Sequence, residues 1–447
     1  MTEQTLKTTF RRRAERRGLR LWHVWIVLPL AFATAVTVAA TVFYTGWDLL
    51  EARGLKPEHR IDSQTLFDLV KLSFGVVAGA GALVALIVAY RRQRVDEDGA
   101  LREATRLHTE RFTTAVSQLG NDSAAVRLGG VHALAGLADD APTRDLRQTC
   151  IDVLCAYLRL PYTAEADLPA RDPEARHTYL SLREVRHTVI RLIRDHLRLN
   201  PRDPHSWRGH HFDFTAVIFD GGDFSEAVFS GGTVSFNGAV FSGGTVSFSG
   251  SGFVGRKVDF GSARFSGGAV SFRRTVFSGG TVSFRDAVFS ESPVDFGRAQ
   301  FSGGTVDFGG AGFAGRKVDF EGARFSGSTV SFGDTEFSGG TVSFHDAGYF
   351  DGAVYFGRVR FSGGTVDFGG AGFAGGTVDF EGARFSGSTV DFRGARFSGS
   401  TVSFGNAAFS GGTVDLTQAT GTAPSGLPLP NGSPVPTGLL LPSTWTS

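Results

Sequence analysis

Phe236-Asn237-Gly238-Ala239-Val240-Phe241-Ser242-Gly243-Gly244-Thr245-Val246-Ser247-Phe248, residues 236–248, holds the pattern that decides the fold. Its three Phe residues stand five and then seven positions apart. The spacing continues in both directions. It opens as Phe214, Phe219, Phe224 and Phe229, five apart, then alternates seven and five through Phe253, Phe260 and Phe265 to Phe404, Phe409 and Leu416. Only Tyr349 and Leu416 replace Phe in this register. A fixed period held over about half a chain marks a solenoid.

Two places before most of these positions stands a small or β-branched residue. It is Val on the seven-step arms (Val234, Val246, Val258, Val270, Val282) and usually Ala on the five-step arms (Ala239, Ala263, Ala287, Ala299, Ala323). A polar residue lies between, as in Val258-Asp259-Phe260. Apolar, polar, apolar is the pattern of a strand with one buried face. Gly-rich corners such as Ser242-Gly243-Gly244-Thr245 separate strands of about three residues, since Gly accepts the positive φ of sharp turns. Such strands bury their rings by coiling around a common axis, with the Phe residues in internal columns.

The consecutive pentapeptides Ala216–Asp220, Gly221–Ser225 and Glu226–Ser230 resemble the pentapeptide-repeat proteins. The resemblance covers about 205–420 and implies an all-β right-handed quadrilateral β-helix with four faces per coil. After Phe229 every second unit carries two extra residues, which reads as a widened corner and gives roughly 24 residues per coil, about eight coils and a rod of roughly 40 Å. Gly309–Phe332 is nearly repeated by Gly369–Phe392, 60 residues on, or two and a half coils. The shift makes two sides of the rod equivalent.

Net charge is +1, and residues 205–420 hold 16 Lys+Arg against 20 Asp+Glu, so no strong bias toward polyanions is expected. The two cysteines, Cys150 and Cys155, read as buried, reduced thiols in a helix.

Residues 1–94 read as a basic N-terminus and a transmembrane hairpin. Lys7, Arg11, Arg12, Arg13, Arg16, Arg17 and Arg20 precede an apolar span at about 22–45, and a second span at about 67–90 is followed by Arg91, Arg92 and Arg94. A signal peptide competes for the first span but lacks a clear exit site. The expected location is a multi-pass protein of the inner (cytoplasmic) membrane, with both termini and the β-helix in the cytoplasm and the lipid bilayer as a partner. Gly75 and Gly79 permit close helix packing, within the hairpin or in a homodimer.

Residues 95–204 read as helices. Phe112, Val116 and Leu119 lie on one face, and Val126, Val131, Leu134 and Leu137 follow a cap at Asp122 or Ser123. Cys150 to Leu158 and Leu182 to Leu197 form two more helices. Arg111–Gly120 with Val126–Leu134 resembles the helical region before the β-helix in bacterial membrane-anchored pentapeptide-repeat proteins, and its paired helices resemble a HEAT-like repeat. Such a segment closes the first coil and covers its strand edges. Residues 421–447 form a Pro/Gly-rich tail, extended or disordered, in which Leu439, Leu440, Leu441 and Trp445 are placed to cap the last coil.

Chemistry is sparse. His210 and His211 beside Asp213 fit no common zinc spacing, and Asp195-His196 with Glu184 reads as a solvated helix face. Gly363–Phe368 resembles calcium-binding β-roll repeats only superficially, because those repeat every nine residues. The motifs GxxxxGK[ST], GxSxG and HExxH are missing, so no catalysis, cofactor or metal is expected. The outward residues of the long arms are Ser or Asp, with Tyr355 the exception. Among them Asp259, Asp295, Asp307, Asp319, Asp367, Asp379 and Asp391 form a candidate interaction stripe. The resemblance allows two roles, a scaffold for an unknown protein partner or a DNA mimic acting on a topoisomerase. Arg264, Arg324, Arg360, Arg384 and Arg396 weaken the second, and no direct nucleic-acid binding is expected.

Overall fold

The computed structural model describes residues 63–447 apart from 170, 256, 351, 400, 429–434 and 447, together with scattered positions between 29 and 48. The basic segment 7–20 and most of the first expected span, 22–45, lie outside the described residues. Two compact units divide the chain, residues 1–104 and 105–447.

The membrane expectation is corrected. Among the described residues no helix is long and apolar enough to cross a membrane, which overturns the multi-pass location. The stretch 67–90 is not a separate segment. It opens a single 57-residue helix, α1 (Ser63–Leu119), that continues unbroken through Arg91, Arg92, Arg94, Asp96, Glu97 and Asp98. A Cβ placed on Gly75 or Gly79 meets nothing within 4 Å among the described residues.

In the second unit the last turns of α1 pack with α2 (Ala124–Asp139), α3 (Arg144–Arg159) and α4 (Pro173–Arg198). Thr143 Oγ1 accepts from Leu146 N to start α3, and Asp172 accepts from Glu174 and Ala175 N–H to start α4, with Pro173 in the first turn. Ser123 caps α2 by backbone shape only. Val131, Leu134, Leu137, Cys150, Leu154, Val185, Val189, Ile193 and Leu197 form the buried seam. Val116 and Val126, expected inward, are exposed, whereas Leu119 is buried as expected and Ala115 is buried beside it.

The solenoid follows with a 24-residue coil, as the register of Val258 on Val282 and Phe277 on Phe301 shows. Each coil has four strand segments. Two faces form separate nine-stranded parallel sheets, so there are about nine coils rather than eight. The other two merge into one 15-stranded sheet, because strands such as Val240–Ser247, Arg384–Asp391 and Ala408–Asp415 run through the corner. We number the faces in chain order from the one carrying Val234, Val258 and Val282. The second carries Phe241 and Phe265, the third Val246 and Val270, the fourth Phe253 and Phe277.

The Phe columns are internal. Phe284, Phe308 and Phe332 stack with centroids 4.8 Å apart and planes within 4° of parallel. Phe296 and Phe320 meet Phe308 edge-on, so the column is held sideways as well as lengthwise. The corners alternate. After the Phe of faces one and three the chain makes a tight turn in which the Phe carbonyl accepts from the residue three on (Ala263 N to Phe260 O, 3.1 Å) and the third residue is left-handed. The two extra residues form the wider corners, Ser-Gly-Gly-Thr. There a Cβ on Gly304, at φ 80°, would lie 2.0 Å from the Gly280 carbonyl of the preceding coil, so only Gly fits.

The 60-residue duplication does change sides. Asp319 lies on face three and its copy Asp379 on face one. The same Lys-Val-Asp unit closes the same ion pair on both faces, Lys257–Asp259 at 2.8 Å and Lys317–Asp319 at 2.6 Å.

Candidate functional site

Two surfaces carry the polar chemistry of the second unit, the outward ladders and the helix-covered first edge.

The seven stripe carboxylates do not form one stripe. Asp259, Asp307 and Asp379 lie on face one, separated by Ser283, Ser331 and Tyr355. Asp295 and Asp319 are neighbours on face three, as are Asp367 and Asp391, with Ser343 between the two pairs. Asp415 extends the second pair.

Each of these side chains has a local task. Its Oδ1 accepts from the backbone N–H two residues on and so shapes the tight corner: Asp307 from Gly309 at 2.8 Å, Asp319 from Glu321 at 3.0 Å, Asp367 from Gly369 at 2.7 Å. Ser at equivalent positions does the same with a hydroxyl, as Ser331 does for Gly333 at 3.3 Å. That explains why Ser and Asp alternate so freely there. Most of the charge is also matched. Arg273 faces Asp295, Arg285 faces Asp307, His345 faces Asp367, and Arg393 reaches both Asp391 and Asp415. Partial burial raises the Asp391 pKa, but the Arg393 side chain and N–H outweigh it and hold the carboxyl below its ordinary value.

At the first edge, helix side chains take the place of a missing coil. Gln148 donates to His211 O at 2.8 Å, Arg159 to Asp213 O at 2.7 Å, Arg186 to Ile218 O at 2.6 Å, His187 to Asp220 O at 3.0 Å and Arg198 to Ser225 O at 2.8 Å. Arg144 donates to Gly209 O. The edge that would template aggregation is thereby closed. Buried Asp220 accepts from Tyr179 at 2.5 Å and Tyr162 at 3.3 Å. Arg186 lies over the Tyr162 ring, 4.2 Å from its centroid.

His210, His211 and Asp213 engage separate partners, namely Gln148, Thr233 and Arg159. Burial, then the charges of Arg144, Arg147 and His211, push the His210 pKa down to about 4. His196, expected solvated, is half-buried. It stacks on Trp207 at 4.1 Å, donates from Nδ1 to Leu192 O and meets Asp139 at 3.0 Å, while Trp207 Nε1 donates to the other Asp139 oxygen. Burial opposes its charge, but the Asp139 and Leu192 hydrogen bonds prevail and raise its pKa. Sequence reasoning missed this cluster because Asp139 and Trp207 are 57 and 11 residues from His196. Only the Trp among polar residues, Ser206-Trp207-Arg208, was a signal. Cys150 and Cys155 are buried free thiols, and burial raises their pKa to about 11 and about 12.

Residues 214–264 match the family described as pentapeptide repeats (9 copies). The chain carries pentapeptide repeats. The match begins at Phe214, the first of the regularly spaced rings, and runs past Phe229 into the five-and-seven region, so the widened corners continue the repeat. No curated protein and no solved structure matches the chain. A pentapeptide-repeat solenoid of this kind fits a scaffold or protein-interaction role.

Proposed function

We propose that the pentapeptide-repeat solenoid is a non-enzymatic scaffold that binds a protein partner through an outward ladder. The observation that supports this most is the division of labour in each coil. Phe and Val fill the interior, Ser and Asp shape the corners, and each outward face is a flat row of side chains repeated at one coil spacing. Such a surface suits extended contact rather than enclosure of a substrate. The DNA-mimic reading needs continuous negative potential along the rod. Arg273, Arg285, Lys317 and Arg393 interrupt it beside the carboxylates.

Photo-crosslinking groups placed at Ser283 and Ser331 on face one, and at Ser247 and Ser271 on face three, test the proposal. A protein captured from one face only, and lost when an Asp of that face becomes Lys, is the expected result. No face-dependent capture would overturn it. Salt-sensitive inhibition of topoisomerase supercoiling by the full chain, lost in Asp295→Asn/Asp319→Asn/Asp367→Asn, would favour the mimic instead.

A further inference from the structure

A groove of about 670 Å³ lies where face three turns into face four, and its wall is basic. Arg274 and Arg298 occupy the left-handed position of this corner one coil apart, and Arg324 stands on face four beside Gln300 in the adjoining coil. Gly322 and Gly348 keep the floor low, and Asp346 marks the far end.

Several other arginines of the solenoid are held by an acidic neighbour. Arg358, left-handed at the opposite tight corner, is held by both oxygens of Asp334 at 2.9 and 2.8 Å. Arg360, on face two, reaches Glu336 at 2.9 Å. Among the described residues the side chains of Arg274, Arg298 and Arg324 have no ion pair or hydrogen bond. Nor does the turn ask for Arg. The same corner position is Gly250, Gly322, Gly370 and Gly394 in other coils, and an L-residue with a side chain is strained in the left-handed region where Gly is not. Two strained residues have brought like charges together in a groove, where they repel until an anion arrives.

We propose that this groove binds a compact polyanion carrying two or three phosphoryl groups. Guanidinium forks match phosphate oxygens in pairs, and Gln300 adds a neutral donor. Three coils at about 4.8 Å per step put the outer arginines about 10 Å apart along the rod. Asp346 ends the site in the next coil, so it suits a short oligophosphate and not a long nucleic-acid strand. This site stands apart from the protein-binding proposal, and neither depends on the other.

Calorimetric titration of the full chain with inorganic tripolyphosphate, inositol hexakisphosphate and single inorganic phosphate tests it, at constant ionic strength. The two polyanions should bind and single phosphate should bind far more weakly. Arg274→Gly/Arg298→Gly should lose binding while melting at the same or a higher temperature, because Gly relieves the left-handed strain. Arg324→Gln should weaken binding roughly tenfold without touching the turn. Arg264→Gln, on face two, should change nothing. Unaltered affinity in both groove variants, or no binding of either polyanion by the wild type, overturns the site. A single-stranded RNA that binds more tightly than tripolyphosphate, with a steep salt dependence, overturns the assignment to a compact ligand.

Discussion

Within the coils, register partners lie 24 residues apart in sequence and every coil repeats the arrangement of the last, as where Asp307 aligns with Ser331 and Phe308 N donates to Ser331 O. At the first edge there is no preceding coil. The carbonyls of His211, Asp213, Ile218, Asp220 and Ser225 are satisfied instead by five helix side chains of three residue types, Gln148, Arg159, Arg186, His187 and Arg198. The interior is stabilised by repetition and apolar burial, the cap by single polar contacts. The far end uses a third device. Leu439–Leu440 pairs beside Val414–Asp415, and Trp445 lies 6.0 Å from the Phe397 ring. Leu439, Leu440 and Trp445, the tail residues read from sequence as placed to cap the last coil, therefore close it.

The largest test strikes the repeated interior. Phe308→Asp places a charge in a fully buried column between Phe284 and Phe332 and should cost several kcal/mol. We expect loss of the β-sheet signal in circular dichroism. Survival of that signal at full strength would contradict the inward assignment.

Next is the cap. Arg186→Met keeps much of the volume but leaves the carbonyls of Leu158 and Ile218 without donors, a loss of roughly 2–4 kcal/mol. Because coils couple mainly to their neighbours, the effect should be local. Hydrogen exchange should quicken over 212–230 and change little over 300–400. Uniform quickening along the solenoid would show that cap and coils unfold as one unit, and the contrast drawn between them would fail.

The same contrast explains what could be read from sequence. A column of Phe at fixed spacing announces its own burial, and the spacing of Val258 and Val282 gave the coil length before any contact was known. The Ser and Asp ladder was legible as outward, but its task in the corners was not, because the Oδ1 to N–H contact depends on backbone shape. The cap was legible only as helices. Arg186, His187 and Gln148 sit among other polar residues, and nothing local distinguishes those that meet a strand edge. The apolar stretch 67–90 misled because its composition says nothing of the helix continuing through 91–119.

Acid should find the cap before the coils. His210 is neutral when folded, with its pKa near 4, whereas the unfolded chain takes up a proton near 6.5. The unfolded state binds more protons between these values, so this contribution to stability is lost as pH falls from 6.5 toward about 4. His196 works in the opposite sense. Its raised pKa stabilises the cap below 6.5, and that support is lost as pH rises through the folded value. Thermal melts across this range should show an acid limb that His210→Gln reduces and His196→Gln does not. An acid limb unchanged in His210→Gln would assign it to other groups.

The smallest effect is expected on the outward ladder, and it separates corner geometry from charge. Asp307 accepts from Gly309 N–H at 2.8 Å and faces Arg285 at 3.3 Å across exposed surface. Asp307→Asn keeps an oxygen for the corner and removes only the ion pair, so the change should stay within about 0.5 kcal/mol. Asp307→Leu removes both and should cost about 1 kcal/mol, the value of one net hydrogen bond. Ser stands at the same place one coil on, at Ser331, so Asp307→Ser should resemble Asn rather than Leu. Melting curves of the three variants at low and high salt make the comparison. If Asn and Ser fall as far as Leu at low salt and recover together at high salt, the ion pair and not the corner holds the ladder in place. If they stay near the wild type at both, Asp307 is first a turn residue, and its ion pair with Arg285 contributes little to holding the ladder.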